Sequence, residues 1–100
     1  MNPEFEWDEE KSNTNLEKHR ISFESAKNVF LDRKRLNVPD NRKDYGEQRW
    51  NTIGNINGIN INGIIVHVSY TVRENRFRLI SARKASKRER EYYDACQNNS

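Results

Sequence analysis

One hundred residues with a formal net charge of +3 suit a single domain and leave no room for two cores. Only 33% of them are hydrophobic, so the core is small and relies on tight patterning or on a bound partner. No apolar run approaches the ~20 residues of a bilayer span, the N-terminus lacks a secretory pattern, and the lone Cys96 excludes an intrachain disulfide; the expected location is the cytoplasm.

Trp7, Trp50, Phe23, Phe30 and Phe77 are large groups to bury, which argues against disorder. Phe5-Glu6-Trp7 alternates as a short strand does. Asp8 is a helix cap, followed by Glu9 and Glu10 where the helix dipole favours anions. This first helix runs to about His19, on a thin apolar stripe to which Leu16 contributes most. Ser22 caps a second helix with Phe23, Ala26 and Phe30 at i, i+3, i+7.

Leu36 and Val38 form a weak strand that Pro39 stops, and residues 39–46 are a polar loop closed by Gly46. Glu47 to Ile56 is the next strand. Ile64 to Thr71 is the clearest: Ile64, Val66, Val68 and Tyr70 share one face, Ile65, His67, Ser69 and Thr71 the other. Between these strands Asn57-Gly58 and Asn62-Gly63 are competing hairpin signals, so the register over residues 54–63 stays open. A turn near Glu74-Asn75 leads into a strand from Arg76 to Arg83. Ser86-Lys87-Arg88-Glu89 is a capping box, so a last helix starts at Lys87 and ends before a frayed 98–100 tail. The sum is one α+β domain over residues 1–97, with helices packed on one face of an antiparallel twisted sheet, two helices N-terminal and one C-terminal.

Charge is unevenly spread along this order. Residues 73–90 carry eight Lys or Arg against two Asp or Glu, a local +6, whereas residues 1–30 are net −3. Cations at the end of a strand, beside the start of a helix, suit a phosphate, and the segment as a whole suits a polyanion. Its plain alternative is a solvated basic helix face.

The same segment, "RFRLISARKASKRER", resembles the C-terminal signature of the BrnT family, small toxins of type II toxin–antitoxin systems. The likeness extends from about residue 4 to residue 93, through "FEWDEEK", "NLEKH", "ISFESAKNVF", "GEQRW" and "VSYTVRENRFRLISARKASKRERE". It implies a RelE-like fold, an RNA-cleaving activity that arrests translation, and neutralisation by a BrnA-type antitoxin. That antitoxin would carry a ribbon-helix-helix dimer, so promoter DNA is reached only through it. Two departures stand out. Arg20 replaces the glycine usual after the Lys-His pair, so the first helix is expected to lack a left-handed glycine cap. The Asn/Gly-rich connection is also longer than usual.

Metal-independent RNA cleavage needs a base for the ribose 2′-OH, cations for the pentavalent phosphorane and an acid for the leaving oxygen. Two distant histidines and one cysteine make no zinc set, and Asp40 and Asp44 lie beside Arg42 and Lys43, so no cofactor or metal is expected. Lys18 and His19 match the family's Lys-His pair, and equally suit the end of a helix. Glu47 and Arg49 match its Gly-Glu-x-Arg; on a strand, i and i+2 point to one side and can pair or jointly face a substrate. Arg78 and Arg83 are the strongest candidates, for holding phosphate. Tyr70 is either packed or a stacking or proton-moving group. Arg76, Lys84, Lys87, Arg88 and Arg90 form an electrostatic track along RNA. His67 is taken as a surface residue, and Trp7 and Trp50 as core. The first function class is thus an endoribonuclease toxin; the second is a catalytically inert nucleic-acid- or antitoxin-binding module on the same fold.

Overall fold

The computed structural model describes residues 4–58 and 61–98. Three helix starts carry the hydrogen bonds that their capping residues offer. Asp8 accepts from the N–H groups of Glu10 and Lys11 and opens α1, Glu9–His19. Ser22 accepts from the Ser25 N–H and opens α2, Phe23–Ala26. Ser86 accepts from the Glu89 N–H while Glu89 accepts from the Ser86 N–H, and α3 spans Lys87–Asn98. Residues 99–100 of the expected tail lie outside the described residues.

Beyond Ala26 the chain tightens into a 3-10 turn, Lys27–Leu31. Its three-residue repeat puts Phe23, Ala26 and Val29 in one row, all fully buried. Phe30 is left at the margin, stacked on Phe77 at 4.7 Å and edge-on to Tyr70 at 4.9 Å.

The strands are β1 Glu4–Glu6, β2 Leu36–Asp40, β3 Arg49–Gly58, β4 Ile61–Arg73 and β5 Arg76–Lys84. Among the described residues they form one sheet in the order β1-β5-β4-β3-β2. The sheet is mixed, not wholly antiparallel, because β1 pairs parallel with β5. Val66, Val68, Leu79, Ala82 and Ile56 bury one face under α2 and the 3-10 turn. Gly54 lets that turn approach: a Cβ there would meet Arg35 Cβ at 2.9 Å and Val29 Cγ2 at 3.0 Å. The β4–β5 hairpin closes on Glu74 and Asn75, both at positive φ (50° and 67°), which suits the twist of a two-residue turn.

Other expectations need correction. Pro39 does not stop β2 but lies inside it, opposite Trp50. β2 is an edge strand, where a missing N–H costs no ladder bond. Glu47 lies in the loop before β3, not on the strand. β3 reaches Gly58 and β4 starts at Ile61, so both Asn-Gly pairs fall inside strands; the turn between them, residues 59–60, lies outside the described residues. Leu16 is 46% exposed, and α1 instead buries Ser12 and Asn15. The reason is the edge of β5 beyond β1: Asn15 donates to the Ala82 carbonyl and accepts from the Ala82 N–H, standing in for a neighbouring strand. Arg20 itself takes the left-handed cap (φ 62°) without glycine.

α3 does not join the other helices. Its Glu89 meets His67 and Arg83, which lie on the opposite face of the sheet from Val68 and Ala82. One turn later, buried Tyr93 donates to Asp32 at 2.6 Å. Asp32 also accepts from the Asn55 N–H, beyond the end of the β2 pairing. Burial pushes the Asp32 carboxyl up, but the Asn55 N–H and the Tyr93 hydroxyl win and hold it below its usual range. Burial and Asp32 together raise the Tyr93 phenol to about 12.

Candidate active site

The register lays the side chains of the sheet's second face in three rows. Asp40, Arg49, Thr71, Arg78 and Glu6 form the first row across all five strands. Asn51, Ser69 and Ser81 form the second, and Ile53, His67 and Arg83 the third. Successive rows are about 7 Å apart along a strand.

A bulge makes the third row possible. Ser69 pairs with Ser81 but Tyr70 pairs with Leu79, which leaves Ile80 as an extra residue in β5. Strict alternation from Phe77 would turn Arg83 toward the core. The extra residue reverses the sides beyond it, so Ala82 is buried and Arg83 joins Arg78 on the second face.

The first row is crowded with charge. Glu47 reaches in from its loop and takes a two-point hydrogen bond from Arg73, at 3.0 and 2.9 Å. Arg73, and then Arg49 and Arg78, hold its carboxyl below the usual range. Glu47 and Arg49 do share one face, although no strand alternation puts them there. Arg49 stacks on Tyr45 at 3.9 Å, and its Nε is buried without a hydrogen-bond partner. Arg78 is only 3.9 Å from Glu6. Arg76 is spent on Glu4 at 3.0 Å.

The floor of the second row is polar and small: Ser69 donates to Asn51 at 2.7 Å. Asp40 is driven down to about 2, chiefly by its two hydrogen bonds from Arg42.

At the third row Arg83 directs Nη1 and Nη2 at the two oxygens of Glu89, at 2.8 and 3.0 Å, and depresses that carboxyl to about 2. The fork that would hold a phosphate at Arg83 is therefore already occupied. His67 Nε2 is 3.8 Å from Glu89. The imidazole is 12% exposed, not the surface group that its polar strand face suggested. Burial, then Arg83, keeps it below its ordinary pKa, against the opposing pull of Glu89.

Glu47, Arg49, Arg78 and Arg83 thus share one face, and Arg76 flanks it. Tyr70 does not join them: it is 3% exposed on the core side, and its hydroxyl donates to Asn37. Lys18 and His19 line a cleft between α1 and the bulged part of β5, with Lys11, Ile80 and Ser81. Lys84 projects to the core side of the sheet end, opposite Val66. Lys87, Arg88 and Arg90 are exposed on α3. Trp7 and Trp50 are half-buried. Sequence reasoning did not bring Arg73, Glu89 and His67 together with these arginines. The alternation of β4 put His67 on this face, but nothing local showed what it would meet.

Among the described residues, no three His, Cys, Asp or Glu side chains are grouped to hold a metal ion, and no helix is long and apolar enough to cross a membrane. The family model described as ribonuclease toxin, BrnT, of type II toxin–antitoxin system matches residues 7–89. No curated protein matches the chain.

Proposed function

The chain belongs to the BrnT family of ribonuclease toxins of type II toxin–antitoxin systems, and from that premise we propose that it cleaves RNA on the second face of its sheet without a metal ion. The observation that carries this reading is the pair Arg49 and Arg78. They flank Thr71 across three strands; among the described residues Arg49 has no carboxylate partner and a buried Nε without a hydrogen bond, and Arg78 has only a long 3.9 Å ion pair with Glu6. Such cations are ready for phosphate oxygens, which Arg holds with two donors at once.

A phosphate over Ser69 would sit about 7 Å along the strand from the rows on either side, within reach of their long side chains. The ribose 2′-oxygen bonds to phosphorus, the bond from phosphorus to the 5′-oxygen breaks, and a 2′,3′-cyclic phosphate and a 5′-hydroxyl result. Arg49 and Arg78 stabilise the added charge of the phosphorane. Glu47 keeps Arg73 aligned beside them, and Arg83 acts through Glu89. Lys18 and His19 extend the surface around the edge of β5. Arg76, Lys84, Lys87, Arg88 and Arg90 steer the polyanion.

On this reading the protein acts in the cytoplasm and arrests translation, on the RelE-like fold that the resemblance implies. A BrnA-type antitoxin with a ribbon-helix-helix dimer covers the basic face, competes with RNA and carries the pair to promoter DNA.

The test is purified protein on a single-stranded RNA oligonucleotide, with EDTA present. Cleavage to a cyclic phosphate end, and resistance of the 2′-deoxy oligonucleotide, are expected. Activity that EDTA abolishes and Mg²⁺ restores sinks the mechanism. Tight binding with RNA left intact identifies the inert binding module instead.

A further inference from the structure

We infer that His67 is the general base of the cleavage, taking the proton of the attacking ribose 2′-OH on Nε2. The inference rests on the ribonuclease reading above and deepens it by naming a catalytic group.

Position comes first. His67 is the cross-strand partner of Arg83 and of Ile53, on the face that carries Arg49 and Arg78. It stands one row from Ser69 on one side, and the arginine row stands one row away on the other. A phosphodiester over Ser69 therefore has cations at one end and an imidazole at the other. That is the spacing a cleavage needs: the phosphate oxygens are held from one side, and the 2′-OH is met from the opposite side.

Orientation comes next. The backbone at His67 pulls the ring's pKa up, but less than burial and Arg83 pull it down. A neutral imidazole keeps one unprotonated ring nitrogen that can accept a proton. Nε2 is the atom that lies 3.8 Å from Glu89 Oε2.

The charges around the ring suit a base. Three elements bring groups to bear on it: Arg83 from β5, Glu89 from α3 and Arg42 from the loop after β2. Burial and the two arginines lower the ring's pKa, which favours the neutral form that can accept a proton. Glu89, fixed by Arg83 and by the Ser86 N–H, then stabilises the imidazolium that forms. In the step, the 2′-hydroxyl proton goes to Nε2 as the 2′-oxygen bonds to phosphorus. The departing 5′-oxygen takes its proton from solvent water, and the imidazolium returns its own to solvent afterwards.

The experiment is single-turnover cleavage of an RNA oligonucleotide as a function of pH, for the wild type, His67→Gln, Arg83→Gln and Arg78→Ala. Binding of the 2′-deoxy oligonucleotide and thermal melting are followed in parallel. His67→Gln should lose about 10²–10⁴-fold in rate while binding the 2′-deoxy oligonucleotide as the wild type does. The wild-type rate should fall with acid along a limb centred below the ordinary histidine value of about 6.5. Arg83→Gln should move that limb upward, because a cation beside the ring is lost and Glu89 remains. A His67→Gln protein that cleaves within about threefold of the wild type, or keeps the same acid limb, overturns the inference.

Arg78→Ala separates the two levels of the argument. If it cleaves normally as well, the reading of this face fails. If it is inactive while His67→Gln is active, only the role of His67 fails. Should His67→Gln not fold, the wild-type imidazole is followed by NMR. Titration below about 6.5, with a shift of that resonance on adding the 2′-deoxy oligonucleotide, supports the base. A ring that does not respond to the oligonucleotide overturns it.

Discussion

The two ends of the open face hold the same device and use it differently. At one end Arg73 grips Glu47 through two hydrogen bonds; at the other Arg83 grips Glu89 in the same way. Beside the first pair stand Arg49, with no carboxylate partner among the described residues, and Arg78, only loosely paired with Glu6 at 3.9 Å. Beside the second stands a nearly enclosed histidine, under a helix that the pair itself helps to anchor. An Arg–Glu pair by itself says little about function. What matters is the group left over next to it: a spare cation suits a phosphate, and a spare neutral imidazole suits a proton.

The sharpest test of this contrast is to remove a loosely held arginine and a tightly held one. Arg49→Ala and Arg78→Ala should each lower the cleavage rate by about 10²–10³-fold, because a preorganised cation is lost from the transition state, with the melting temperature little changed. Arg73→Ala should stay within roughly tenfold, since a half-exposed ion pair is worth only about 0–1 kcal/mol. Equal losses for all three would erase the distinction between loosely and tightly held arginines.

Next in size is the same substitution made at each end. Glu89→Gln strips the charge from the Arg83 fork and weakens the cap of α3, and charged hydrogen bonds of this kind contribute about 1.5–3 kcal/mol. Glu47→Gln touches no helix and should cost less than about 1 kcal/mol. Chemical denaturation of both variants checks this; a larger loss at Glu47 would reverse the assignment of the structural end.

Acid should probe the α3 end too. The Glu89 carboxyl has a folded value of about 2, below the usual ~4.3 of an unfolded chain. A depressed carboxylate contributes its stability above the unfolded value and loses it as pH falls through the folded one. The anchoring of α3 should therefore hold at pH 4 and give way toward pH 2. Amide exchange along Lys87–Gln97 reads this directly, and release of the helix already at pH 4 would contradict the strength of the pair.

The smallest effect belongs to the far end of α3. Tyr93→Phe removes one hydroxyl from Asp32, which keeps its hydrogen bonds from the Asn55 and Lys34 N–H groups. About 1 kcal/mol of stability should be lost, with cleavage by the Arg49–Arg78 end unchanged. A drop in rate without a drop in melting temperature would tie Tyr93 to the site.

Wherever a residue's partner lay within a few positions, the sequence by itself determined the outcome. The caps at Asp8, Ser22 and Ser86, the Ser86–Glu89 box, the Glu74-Asn75 turn and the sidedness of Ile64 to Tyr70 each rest on bonds or sterics inside one turn or one strand. The basic segment and its family signature were legible for the same reason, as contiguous residues. The tertiary structure decided whatever depended on register between strands or on an edge. The extra residue at Ile80 has no mark in the sequence, yet it alone turns Arg83 toward His67. The parallel pairing of β1 appears only once the sheet is assembled, as does the use of Asn15 in place of a strand and the arrival of Glu47 from its loop. Alternation fixes which residues of one strand agree with each other. It does not fix how one strand slides against the next, and a slip of one residue exchanges the core for the site.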